Sequence, residues 1–99
     1  MKKTFSYEDA AALLPEVQRL TSEAVNEAEA LAGDAPREEA QAIVSRWADA
    51  VMALGIDVKG LWLVDFDSGS GYYCWSHPEP SLQYYHGYEE GFRGRVKLQ

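Results

Sequence analysis

The chain is short of several things that would each announce a function. It has one cysteine, Cys74, in 99 residues. No internal disulfide can form, nothing points to an oxidising compartment, and a cytoplasmic setting is the expectation. No apolar run approaches the roughly 20 residues that a membrane helix needs. The opening MKKTFSYEDAA carries two lysines with no apolar stretch behind them, so it does not read as a secretory signal. Bases are scarce too: nine against 16 acids leave a formal net charge of −7. An acidic molecule repels nucleic acid and anionic lipid at long range, so neither nucleic acid nor membrane is an expected partner. There is no glycine-rich phosphate loop, because GSG and GFRG lack both the spacing and the strand-to-helix context. No internal repeat and no low-complexity segment is visible.

What is present is ordinary globular material. Apolar residues make up 46% and charged residues 25%, far from the balance of a disordered chain. The length fits one compact domain, residues 1–99, with room for one core and little margin. Charge is uneven along it. Residues 1–54 hold ten acids and five bases, and residues 55–99 hold six and four. Only the end reverses the sign, where Arg93, Arg95 and Lys97 follow one another without an acid. That basic tip suits a single phosphate or carboxylate.

The first half, residues 1–54, reads as a helical hairpin. Ser6 is a plausible N-cap, with Glu8 and Asp9 suiting the dipole of the first turn. Leu13, Val17, Leu20, Ala24, Ala28 and Leu31 recur at three-four spacing and form one stripe. Pro15 lies inside that pattern, so the first helix is expected to be kinked or split there. Gly33 ends it. Pro36 restarts a helix with Asp34 or Ala35 as cap, and Ala40, Ile43, Trp47, Ala50 and Leu54 continue it to Gly55. The second half, residues 55–99, reads as strands: Leu61 to Phe66, Tyr72 to Ser76 and Ser81 to His86, with the tail as a short edge strand. DSGSG makes a hairpin turn, and the two prolines of HPEP break the ladder. The expected fold class is α+β: an antiparallel helical hairpin packed on one face of a three- to four-stranded antiparallel β-meander.

Chemistry concentrates between Cys74 and Arg95. A metal centre would draw on Cys74, His77, His86 and Glu89, all zinc-ligand types. Strand residues three apart point to opposite faces, so Cys74 and His77 converge only if the chain bends. The expectation is therefore no metal and no cofactor, with Cys74 and His86 as the pair to watch. Cys74 beside His86 across two strands would resemble a thiolate–imidazole pair. Its flanks, Tyr73 and Trp75, are a packing environment instead. Asp65 interrupts an apolar strand, so a buried acid needs a cation or donors, and Arg95 and His86 are the partners in reach. A structural ion pair is preferred to acid–base catalysis for it.

The aromatics Trp62, Tyr72, Tyr73, Trp75, Tyr84, Tyr85, Tyr88 and Phe92 are too many for one face of a small core. About half must point away from the helices, either as a partner surface or under loops that fold over them.

These residues resemble a known family. Phe5 to Pro15, FSYEDAAALLP, resembles the opening of the bacterial domain-of-unknown-function family 2203. Val64-Asp65-Phe66, Cys74-Trp75, Glu79, Tyr85-His86 and Gly91-Phe92-Arg93-Gly94-Arg95 resemble its core pattern. The chain departs from it at Ser76, where arginine is usual, and at Pro78, where glycine is usual; His77 lies outside the pattern. The resemblance implies a fold type, a bacterial intracellular setting and a set of polar positions, Asp65, Glu79, His86 and Arg95. It implies no activity.

The leading functional expectation is a non-enzymatic interaction module that self-associates as a homodimer through an aromatic-rich sheet face, marked by Tyr73, Trp75 and Tyr85. The alternative is a pocket for a small anionic ligand or a metal, with Asp65, Glu79, His86, Arg93 and Arg95 as ligand-binding residues and Cys74 beside them. Were it an enzyme, His86 and Glu79 would be the catalytic pair, with His86 as general base and Arg95 holding an anion. A docking role for the helices is disfavoured, because their stripe is needed to cover the sheet.

Overall fold

The computed structural model describes residues 3–98. Two helices lead into a five-stranded antiparallel sheet. The first helix, α1 (Tyr7–Glu29), starts where Ser6 Oγ accepts the Asp9 amide at 3.0 Å, with Glu8 and Asp9 in its first turn. It is one helix, not two. Pro15 sits inside it on the exposed side, where water can take over the carbonyl that loses an amide partner. The buried line runs through Ala10, Leu14, Val17, Thr21 and Ala24. Leu13, Leu20, Ala28 and Leu31 flank it. The second helix, α2 (Arg37–Met52), begins with Pro36 at its cap and no side-chain capping bond. Asp34 and Ala35 therefore do not cap it. It buries Ile43, Trp47 and Val51, and the turn that follows it closes at Gly55, whose φ of 85° favours glycine.

A buried polar link crosses the helix seam. Thr21 Oγ1 donates to Val17 O at 2.7 Å and accepts from Trp47 Nε1 at 2.8 Å. Both groups are buried, so each satisfies the other where water is absent.

The sheet is a meander in chain order: β1 (Asp57–Gly60), β2 (Leu63–Asp67), β3 (Tyr72–Ser76), β4 (Tyr84–His86) and β5 (Val96–Lys97). It has one strand more than the sequence suggests, because β1 carries a single apolar residue, Val58, and no local strand signal. Trp62 turns the chain between β1 and β2 at φ 59°. That conformation costs an L-residue roughly 1–2 kcal/mol, and its edge-on packing against Trp47 at 4.9 Å offsets the cost. The β2–β3 turn closes with Ser68 N–H donating to Gly71 O at 2.8 Å.

Alternation then sorts the sheet residues. Val64, Phe66, Tyr73, Trp75 and Tyr85 share the face that meets the helices. Val64, Phe66 and Trp75 are essentially inaccessible, and burial of a side chain such as Phe66 stabilises by roughly 1.5–3 kcal/mol. Tyr73, Trp75 and Tyr85 thus lie on one face, as their spacing suggests. It is the helix-covered face, not the wet one. The opposite face carries Leu63, Asp65, Asp67, Tyr72, Cys74, Tyr84 and His86. The C-terminal segment, with the 3₁₀ turn Phe92–Gly94, folds back along it to form β5 beside β4. Rings therefore occupy both faces, and the second face has a cover of its own.

Candidate functional site

Asp65 on β2 pairs in register with Cys74 on β3. Cys74 pairs with Tyr84 on β4, and His86 follows two residues later on the same face, opposite Tyr72. Three central strands thus bring a carboxylate, a thiol and an imidazole to one spot on the outer face. All three side chains are buried, and their ligating atoms lie within 4.8 Å of one another.

The hydrogen bonds fix proton positions. His86 Nδ1 lies 2.8 Å from Gly87 O, and its Nε2 lies 3.0 Å from Asp65 Oδ2. A carbonyl only accepts, so Nδ1 donates. One further proton is held between Nε2 and Oδ2. Asp65 Oδ1 is buried and meets no hydrogen-bond donor among the described residues. A buried carboxylate oxygen left without a donor is costly. Cys74 is pushed in the opposite direction from a nucleophile. Burial raises its thiol to about 12, the negative charge of Asp65 and a thiol–carboxylate hydrogen bond to it add to the rise, and Arg95 opposes it. With no free imidazole nitrogen beside it, the thiol is not arranged for attack.

Arg95 and Glu79 sit at the rim. Arg95 Nη1 lies 2.9 Å from Glu79 Oε2 and 3.9 Å from Cys74 Sγ. Its guanidinium stacks between the rings of Tyr84 and Phe92, at 4.0 Å from each. Glu79 also accepts the Ser76 amide at 2.9 Å, within a tight turn that contains a cis His77–Pro78 peptide. The expected partnership of Asp65 with two cations therefore divides: His86 takes Asp65, and Arg95 takes Glu79. As catalytic candidates, His86 and Glu79 are separately engaged, His86 on both ring nitrogens. Arg93 is exposed on the 3₁₀ turn and lines none of the cleft described next. His77 packs near Trp75 and Glu89 is exposed; neither joins the cluster.

A cleft of about 350 Å³ opens onto the cluster. Asp65, Cys74 and His86 form its floor, Lys59, Leu63 and Tyr72 one wall, and Tyr88 with Glu90–Phe92 the other. Lys59 Nζ stands 4.3 Å over the Tyr72 ring. Tyr88 donates to Asp67 Oδ1 at 2.6 Å, which pins the covering segment to β2. A larger depression of about 510 Å³ between Lys3, Met52 and Asp57–Lys59 lies elsewhere and gathers no such cluster. Sequence reading missed Lys59, Tyr72 and Tyr88 as lining residues. Strand parity placed Tyr72 with Cys74, but nothing local placed Lys59 or Tyr88 there.

Residues 26–98 match the model of a family described as an uncharacterized conserved protein, DUF2203. The match spans well over half of the chain, which belongs to that family. No curated protein and no solved structure matches it. Among the described residues no helix is long and apolar enough to cross a membrane.

Proposed function

We propose that this chain is a binding protein whose small ligand enters the cleft between the outer sheet face and the C-terminal segment. The single observation that carries this reading is the buried convergence of Asp65, Cys74 and His86 at the floor of a cleft. Folding alone gives no reason to spend three central-strand positions on polar groups, one of them with an oxygen that lacks a donor. Lys59, the cation in the wall of the cleft, favours a ligand that includes negative charge. A cytoplasmic setting fits the lone buried thiol and belongs to the same reading.

Amide chemical shifts recorded during titration with inorganic phosphate, citrate and zinc chloride test it. Perturbations centred on Cys74, His86 and residues 88–95 are expected from at least one of the three. If none of them moves those amides, the reading fails.

Self-association is the second reading. Phe92 and Val96 are half exposed or more on the covering segment, an apolar edge that a second copy would bury. Light scattering after size exclusion decides it, and a monomer at every concentration removes it.

A further inference from the structure

We infer that Asp65, Cys74 and His86 are the protein ligands of a zinc-type divalent metal ion, with a fourth coordination position facing the cleft. The inference rests on the reading of that cleft as the functional site and names what occupies its floor.

Several observations meet at this point. The donor set is one carboxylate oxygen, one thiolate sulfur and one imidazole nitrogen, which suits zinc or cobalt and not the all-oxygen shells of magnesium and calcium. The geometry is close to what the metal needs. Zinc bonds of about 2.0–2.3 Å put tetrahedral ligand atoms about 3.3–3.6 Å apart. Here Nε2 and Oδ2 are 3.0 Å apart, and all three ligating atoms fall within 4.8 Å of each other. A metal taking the place of the proton between Nε2 and Oδ2 spreads that pair by a few tenths of an ångström and draws the sulfur in.

The outer contacts are also those of a metal site. His86 donates Nδ1–H to Gly87 O, which fixes the tautomer and aims Nε2 into the cluster, as ligating histidines require. Arg95 Nη1 lies over the sulfur at 3.9 Å, held there by Glu79, where a metal-bound thiolate receives a donor. Finally, Asp65 Oδ1 is buried without a donor. A dication bound by that carboxylate offsets the cost of the oxygen that lacks a donor.

Charge balance agrees. A dication with one thiolate, one carboxylate and one neutral imidazole is neutral overall, the state that a buried site tolerates best. It also removes a conflict in the ligand reading: an anion entering the bare cleft meets the Asp65 carboxylate, whereas an anion entering the metallated cleft meets an open coordination position, with Lys59 in the wall. Three protein ligands with one position open is the arrangement of zinc sites that bind or activate a small molecule.

The test is cobalt titration of the chelator-treated 99-residue chain followed by absorption spectroscopy. Cys74 is the sole cysteine, so a sulfur-to-cobalt charge-transfer band reports this site without any variant. The expected result is one cobalt per chain, that band, intense visible bands of a tetrahedral site, and displacement of cobalt by zinc. Cys74→Ser abolishes the charge-transfer band, Asp65→Asn weakens cobalt binding by about tenfold or more, and His77→Gln binds as the parent does. Circular dichroism confirms that each variant is folded. If a variant does not fold, the parent's spectrum still decides. Folded parent protein that gives no charge-transfer band overturns the inference. So does a band in which binding is unchanged by Asp65→Asn. If the band is absent but phosphate or citrate still moves the Cys74 and His86 amides, the metal falls and the ligand cleft stands. If zinc, phosphate and citrate all leave those amides unmoved, both fall.

Discussion

Arg95 closes on Glu79 at 2.9 Å, and both side chains are largely buried at 11% and 19% exposure. This contact fastens the last strand to the turn between β3 and β4. It also holds the guanidinium between Tyr84 and Phe92.

Arg95→Ala removes the pair and the stacking together. A loss of about 2–3 kcal/mol is expected, below the roughly 3–5 kcal/mol of a fully buried pair because the rim is partly wet. Arg95→Lys recovers less than half, since lysine keeps the charge but not the planar stack. Urea denaturation of the three proteins measures both, and equal stability of Lys and Arg variants would show that stacking contributes nothing.

Trp47 and Thr21 are expected to be strongly coupled. Thr21→Val keeps the shape and strands the indole N–H in the helix seam, for about 1–3 kcal/mol. Adding Trp47→Phe removes the stranded donor, so the double variant falls short of the sum of the singles by roughly 1 kcal/mol or more. A double-mutant cycle by denaturant unfolding reads the coupling, which should be near zero if the 2.8 Å bond is not formed in solution.

Alkaline pH should loosen the covering segment. The hydrogen bond to Asp67 is the main cause that raises Tyr88 from 10.0 to about 12, and the partial burial and negative charge around it add to this. A raised folded value means that the folded state holds the proton more tightly. The stabilisation is complete below pH 10 and is lost as pH rises toward 12. Thermal melts from pH 9 to 12 check this: Tyr88→Phe should flatten the decline across that window, and an unchanged decline would remove Tyr88 as its source.

Gly71→Ala should be costly for the site as well as the fold. The added methyl would meet the Tyr85 hydroxyl and, at 2.8 Å, the backbone oxygen of His86. The Tyr85 ring, whose Cζ stands at 2.6 Å, has to turn aside as a whole; the strand backbone cannot move without shifting His86 from Asp65. A destabilisation of about 1–3 kcal/mol is expected, together with movement of the His86 ring resonances. The same substitution at Gly91, which has open space around it, is the control and should leave those resonances in place.

Much of the fold was legible because its signals are local. The Ser6 cap, the stop at Gly55 and the strand Tyr72–Ser76 each follow from a residue and its near neighbours. β1 was not legible: Asp57, Lys59 and Gly60 carry no strand signature, and only pairing with β2 makes them one. The α1 stripe was legible at Val17 and Ala24 and in the flanking Leu13, Leu20, Ala28 and Leu31, but not at Thr21, a polar residue that its bond to Trp47 satisfies at the centre of the seam. At the site, Cys74, His86, Glu79 and Arg95 stood out as polar residues among rings. The pairing among them did not, because it depends on which strands are neighbours and in what register.

The sequence by itself determined an acidic α+β chain with a helical hairpin first and antiparallel strands after, since helix caps, apolar periods and turn residues act over a few positions. Only the tertiary structure decided which sheet face the helices cover and that Asp65 joins Cys74 and His86 beneath a returning tail. A one-residue slip in strand pairing would send each of those three side chains to the other face, and what prevents it is the packing of Val64, Phe66 and Trp75 against helices far away in the chain.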